Sequence, residues 1–312
     1  MLLQNQRVII NASCLYMLKE IQTAFVFPGQ GSQRVGMGQK IYNNYRVAQL
    51  TFEEANGVLG RDITSICFSG PKDILDATTN TQPAIITTSI AALRVLEEEG
   101  RIPDQVAGHS LGEYSALVAA KALEFSDSLR IIQARANLME AAGLENPGGM
   151  AALLGLSIDT VQEICHLSGA QIANINTEKQ IVITGRKESI IHASELAKDN
   201  QGKVINLNVS IAGHSPLMQS AKYGLSEVLQ TVNLQNPKVP FVANVTGSYI
   251  QEADGVRQGL VNQITGSVLW FHTIKTMIEN GVTRFVEVGP GKVLSGLIRN
   301  INSTVLTEPT NV

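Results

Sequence analysis

The chain has 312 residues, of which 44% are hydrophobic and 16% charged. That balance excludes a disordered chain and is enough for a large core in two lobes. A net charge of −3 argues against a nucleic-acid-binding protein. The three cysteines, Cys14, Cys67 and Cys165, stand far apart without metal-ligand spacing, which points to a reducing compartment such as the cytoplasm. No apolar run reaches the length of a membrane span.

At the N-terminus Met1-Leu2-Leu3 is apolar, but Gln4 to Arg7 break the run. Residues 1–20 therefore make a poor signal peptide and are expected to form a poorly packed extension, dispensable for activity. Thr23 to Phe27 reads as a strand. The loop after it, Pro28-Gly29-Gln30-Gly31-Ser32-Gln33, has too much glycine and proline for regular structure. A loop following a strand in an α/β protein is where ligands bind, although a plain turn has the same composition. A helical pattern runs from Ile41 to Leu59. Thr81-Gln82-Pro83 then opens an apolar helix over 84–99, with Pro83 near its first turn.

The next stretch organises the rest. Gly108, Ser110 and Gly112 spell G-x-S-x-G, between a strand end at Gln105-Val106-Ala107 and a helix of small and apolar residues over 111–120. Strand, sharp turn and helix are the context in which this motif presents a serine hydroxyl above a sheet. The glycines spare the turn two side chains, and the helix N-terminus points N–H groups at any anion formed there. A glycine-rich turn with an idle serine is the alternative. Downstream, Ser126 is the expected N-cap of a helix with Asp127 in its first turn and Ile131, Ile132, Leu138 and Met139 as its apolar stripe. Arg135 falls on that stripe. A guanidinium on an inward face is costly without an anion. It meets a ligand, pairs with an internal carboxylate or snorkels to the surface.

After the break at Pro147-Gly148-Gly149 the elements shorten. Strands are expected at 151–154, 171–176, 180–184 and 203–207, with helices at 158–167 and 187–198. The order β-α-β-β-α-β predicts an inserted ferredoxin-like lobe over 148–208. The chain then returns to a main lobe formed by 21–147 and 209–306, with a tail at 307–312. Helices are expected at 217–231, 256–265, 271–280 and up to 301, and strands at 239–243 and 284–288. Strands alternating with helices predict an α/β fold with a parallel sheet core. Of the five histidines, His166, His192 and His272 lie in helical stretches, and His109 is held within the elbow. His214, just before a helix, is left by elimination as the candidate base.

Four stretches carry a resemblance: Phe25 to Gln33, Gly108 to Tyr114, Gly213-His214-Ser215-Pro216-Leu217-Met218, and Glu287-Val288-Gly289-Pro290-Gly291. In this order they resemble malonyl-CoA:acyl-carrier-protein transacylases and the acyltransferase domains of polyketide synthases. The resemblance implies an α/β-hydrolase-like large subdomain with a small ferredoxin-like one. It implies Ser110 as nucleophile, His214 as base, and the backbone N–H groups of Gln30 and Leu111 as oxyanion hole. Arg135 would bind the free carboxylate of a malonyl group, bidentately as only a planar guanidinium can. Gln263 would orient the histidine and Gln82 would line the cleft. Malonyl-CoA is the implied donor and an acyl carrier protein the acceptor, with no tightly bound cofactor or metal and with no nucleic acid or membrane as partner.

One position departs from the family. The residue before the histidine is typically Phe or Ser there, and here it is Gly213, which enlarges the acyl pocket and relaxes selectivity against bulkier groups. Carriers of this kind are typically acidic, so a basic patch is expected among Arg186, Lys187, Lys198, Lys203, Lys292 and Arg299. Two other functions use the same scaffold. A proofreading hydrolase of uncharged acyl chains needs the Ser–His pair but not Arg135, and a non-catalytic carrier-binding module needs none of them.

Overall fold

A computed structural model describes residues 22–207, 209 and 211–312; the extension expected over 1–20 lies outside them. Strand β1 (Gln22–Phe27) sends Ala24 and Val26 into one apolar cluster and Phe25 and Phe27 into another, the alternation of a strand covered on both faces. Helices α1 (Gln39–Asn44), α2 (Arg46–Leu59), α3 (Ile63–Ser69) and α4 (Lys72–Asp76) lead to the long α5 (Thr78–Glu98). The single helix expected from Ile41 to Leu59 is broken at Tyr45, which is extended at φ −129° and ψ 122°. Helix α5 begins at Thr78, and Pro83 lies inside it. Pro83 has no N–H to give the Thr79 carbonyl. Arg61 Nη2 donates to that oxygen instead, at 2.6 Å, and the helix continues through the proline.

Next come β2 (Gln105–Gly108), α6 (Gly112–Ala119) and α7 (Phe125–Glu145). The N-cap of α7 is Glu124, not Ser126. Phe125 is buried beneath the Arg94 guanidinium, 5.1 Å from its ring centroid, and that burial draws the first turn upstream of the serine. The small lobe follows as β3 (Gly149–Leu154), α8 (Ile158–Ser168), β4 (Gln171–Thr177), β5 (Gln180–Gly185), α9 (Lys187–Asp199) and β6 (Lys203–Asn206). The main lobe resumes with a 3-10 turn at Pro216–Met218, α10 (Gln219–Gln230), β7 (Phe241–Ala243), β8 (Ser248–Ile250), α11 (Ala253–Gln263), α12 (Trp270–Glu279), β9 (Val282–Glu287), α13 (Val293–Ile301) and β10 (Leu306–Pro309).

The large sheet has the order β10-β9-β1-β2-β7-β8. All its pairs are parallel except β7 with β8. Residues 307–312, expected as a tail, instead help close one edge: with Leu306, Thr307 to Pro309 pair with Arg284 to Glu287, and Val312 is buried. The small sheet, β4-β5-β3-β6, is antiparallel throughout, with α8 and α9 packed on it through Val161, Ile164, Ile190 and Ala193. This is the ferredoxin-like arrangement. One strand joins the lobes: Ile175 N–H donates to Val268 O at 2.9 Å and Val268 N–H to Ala173 O at 2.8 Å. β1, β2 and β7 all end on the same side of the large sheet, and the crevice outside those carboxyl ends is where open α/β sheets bind ligands. Among the described residues no helix is long and apolar enough to cross a membrane.

Candidate active site

The elbow is built by close approach. A Cβ on Gly108 would stand 2.0 Å from the Gly112 backbone, and one on Gly112 would stand 2.1 Å from Phe27 O, so only glycine fits at either position. Between them Ser110 takes φ 50°, a left-handed conformation that costs an L-residue about 1–2 kcal/mol. The surroundings hold it there. Ser110 N–H donates to Asn244 Oδ1 at 2.6 Å, and Asn244 Nδ2 donates to Gly108 O at 2.6 Å. His214 has the same backbone type, φ 61°, and is held by the turn that follows: Ser215 Oγ donates to Ala212 O at 2.6 Å and accepts Leu217 N–H at 3.3 Å.

These two strained residues meet. Ser110 Oγ is 2.8 Å from His214 Nε2, and His214 Nδ1 is 2.8 Å from the backbone oxygen of Gln263. A carbonyl only accepts, so Nδ1 carries the proton and Nε2 turns its lone pair to the hydroxyl. Among the described residues no carboxylate orients the ring. Desolvation, with help from the Arg135 charge, pushes His214 down to about 4. The imidazole is therefore neutral at physiological pH and able to take a proton from Ser110. The unfolded chain binds that proton below its ordinary value of 6.5, so this group removes stability as pH falls from 6.5 toward 4.

Arg135 approaches the same oxygen from the other side. It is 2% exposed, and its Nη2 lies 3.3 Å from Ser110 Oγ. Nη1 donates to Gln82 Oε1 at 2.7 Å and Nη2 to Gln263 Oε1 at 3.2 Å, and the Tyr114 ring centroid lies 5.9 Å away. Of the three surroundings open to it, the structure gives neither the surface nor a direct ion pair. The guanidinium is buried, held by neutral amides, and its Nε has no partner among the described residues. Burial lowers its pKa, while Tyr114 and Glu113 pull it back up.

A cavity of about 310 Å³ opens over these groups, walled by Ser110, His214, Arg135, Gln30, Leu111 and Gly213 from the main lobe. The small lobe adds Met150, Ala152 and Val182 and the amides of Asn174, Asn176 and Gln180. The N–H groups of Gln30 and Leu111 have no partner among the described residues and remain free for an anion. A Cβ at Gly213 would fit without strain, in ordinary van der Waals contact with Met139 Cε at 3.7 Å and Met150 Sδ at 4.0 Å. Gln82, expected to line the cleft, is instead wholly buried behind Arg135. His109 also borders the cavity but its Nε2 is engaged with Asn176 Oδ1 at 2.9 Å. The basic residues proposed as a patch are all exposed. Lys292 directly precedes α13, whose Val293, Leu294 and Leu297 border the cavity, and Arg299 donates to Thr307 Oγ1.

Two residues of the site had no role in the sequence reading. Asn244 follows a short strand with no motif around it. Glu113 lies within the elbow motif, where a glutamate in the first turn of a helix reads as an ordinary dipole partner. It is buried, accepting Asn244 N–H at 2.6 Å and Gln263 Nε2, and burial pushes it up to about 7 against those donors and the Arg135 charge. Among the described residues no three His, Cys, Asp or Glu side chains gather as a metal site.

A hydroxyl on a strained corner, a neutral imidazole to deprotonate it and free N–H groups beside it mark an enzyme of acyl transfer. An acyl transferase domain model matches residues 24–307. A malonyl CoA-acyl carrier protein transacylase of Bacillus subtilis (strain 168) is 41% identical over 290 residues, 91% of this chain and 92% of its own. The crystal structure of an acyl-carrier-protein-S-malonyltransferase from Bartonella henselae superposes with a TM-score of 0.90 at 40% identity, covering 94% of this chain and 96% of that one. A malonyl-transacylase solved in complex with its type II polyketide synthase acyl carrier protein superposes with a TM-score of 0.91 at 37% identity, covering 93% and 96%. The chain belongs to the malonyl-CoA:acyl-carrier-protein transacylase family.

Proposed function

We propose that this protein moves a malonyl group from coenzyme A to the phosphopantetheine thiol of an acyl carrier protein through an ester on Ser110. One observation carries the reading: a single hydroxyl oxygen stands 2.8 Å from an imidazole nitrogen and 3.3 Å from a buried guanidinium. His214 takes the Ser110 proton as Oγ attacks the thioester carbonyl. The oxyanion rests on the N–H groups of Gln30 and Leu111, each such donor contributing about 2.7–4 kcal/mol. Collapse breaks the C–S bond, and the imidazolium returns its proton to the departing thiolate of coenzyme A. The carrier thiol then repeats these steps in reverse order, a ping-pong scheme. Arg135 grips the malonyl carboxylate throughout, with Gln82 fixing its far side. The Gln263 carbonyl sets the tautomer of His214. Without a side chain at Gly213 the pocket takes groups bulkier than malonyl, a methylene of discrimination amounting to only about 1–3 kcal/mol. A cytoplasmic setting and catalysis without a bound cofactor complete the reading, with the carrier approaching over exposed cations such as Lys292.

Intact-mass measurement with malonyl-CoA, with and without a carrier, tests it. Mass moves to Ser110 first and to the carrier second. Free malonate without carrier acylation would mean a hydrolase, and no adduct on either protein would mean a binding module.

The acid limb of the rate profile is a further expectation. A protonated imidazole cannot accept the Ser110 proton, so kcat/KM for acetyl-CoA, whose acyl group carries no carboxylate for Arg135, holds level as pH drops and halves only at about 4. A midpoint near 6.5 would show an imidazole far better hydrated than the buried ring at position 214.

A further inference from the structure

Glu113 borders no part of the cavity, yet its carboxylate meets residues that do. It is 2% exposed and sits in α6, in the turn after Ser110. Oε1 accepts the fixed backbone N–H of Asn244 at 2.6 Å. Oε2 accepts Gln263 Nε2. When ionised, that carboxyl offers only acceptors, as the Ser110 carbonyl beside it always does, so the side of the Gln263 amide facing them must be the NH2. That choice settles the rest of the amide. Nε2 reaches Ser110 O at 2.9 Å, and Oε1 is left facing Arg135 Nη2 at 3.2 Å. Turned over, the same amide would set its NH2 against a guanidinium and its oxygen against a carbonyl. The backbone carbonyl of Gln263, which holds His214, does not turn with the side chain.

We propose that Glu113 is a positioning residue: by fixing which way the Gln263 amide faces, it aims Arg135, and so sets the preference for an acyl group bearing a carboxylate over an uncharged one. The proposal rests on the carboxylate-binding reading of Arg135 given above. It separates two tasks that meet at Gln263, where the side chain serves the arginine and the main chain serves the base.

Glu113→Gln makes one of the two acceptor oxygens a donor. Asn244 N–H keeps the remaining oxygen, so the new NH2 faces Gln263 and forces its amide over. The measurement is the ratio of kcat/KM for malonyl-CoA to that for acetyl-CoA, taken on one preparation so that any inactive fraction cancels. The ratio falls about tenfold, the size of one hydrogen bond to a charged group, and the acid limb of the pH profile stays in place. A residue needed only for folding would lower both substrates alike. Gln263→Leu is the second variant, for the case in which Glu113→Gln does not fold. It lowers the ratio similarly, and adding Glu113→Gln to it changes the ratio no further. A ratio unchanged in both single variants, while Arg135→Ala lowers it, overturns the proposal for Glu113. A ratio that Arg135→Ala leaves untouched overturns the reading of the arginine on which it rests.

Discussion

Ser110→Ala is expected to abolish the malonyl adduct on the protein and to lower carrier malonylation on the order of 10⁴-fold or more, as loss of the nucleophile does in other serine enzymes. The fold should survive. The left-handed backbone at this position is held by Asn244 through the main-chain N–H, which alanine keeps, and alanine's Cβ fits where the serine's does. Melting temperature and far-ultraviolet circular dichroism should thus match the parent while the adduct vanishes. An adduct that persists would place the acyl group on another side chain, such as the His109 imidazole, which also borders the cavity.

Arg135→Ala is the second large effect, and its value lies in contrast. With malonyl-CoA, kcat/KM should fall about 10²–10³-fold, the scale of one lost partner of a buried charge pair. With acetyl-CoA the loss should stay under about tenfold, because no carboxylate is left unmatched; what is lost there is the bond from Nη2 to Ser110 Oγ. Arg135→Lys should not restore malonyl transfer. An ammonium is a point charge on a shorter donor set and cannot at once hold Gln82, Gln263 and a carboxylate. Equal losses with both donors would remove the carboxylate role and leave the arginine as a support for the hydroxyl.

Much of this was legible in the sequence because the reactive stretches are local. G-x-S-x-G carries its own turn geometry, and the stripe through Ile131, Ile132 and Met139 placed Arg135 on an inward face before any fold was known. The period changes after Gly149 marked the small lobe. What escaped was set by long-range contact. The Glu124 cap displaced the better capping residue Ser126 because burial of Phe125 outweighs one cap bond. Pro83 failed to open its helix because Arg61, distant in sequence, takes the carbonyl that the proline leaves free. β10 looked like a tail because an edge strand of four residues has no periodicity to read. Asn244 and Glu113 act through a few hydrogen bonds between residues more than 130 positions apart, and such bonds leave no pattern along a chain.

The strand order has a consequence for how the protein is made. β1 lies between β2 and β9, so a segment synthesised near the start keeps one side open until residues 282–287 leave the ribosome. The small lobe, whose strands all fall within 149–206, closes on itself well before then. Distant parallel pairing is slow and leaves sticky edges in the interval. Between residues 206 and 287 the nascent chain is therefore a finished minor lobe attached to an unfinished major one, and a product truncated before β9 is work for chaperones and proteases.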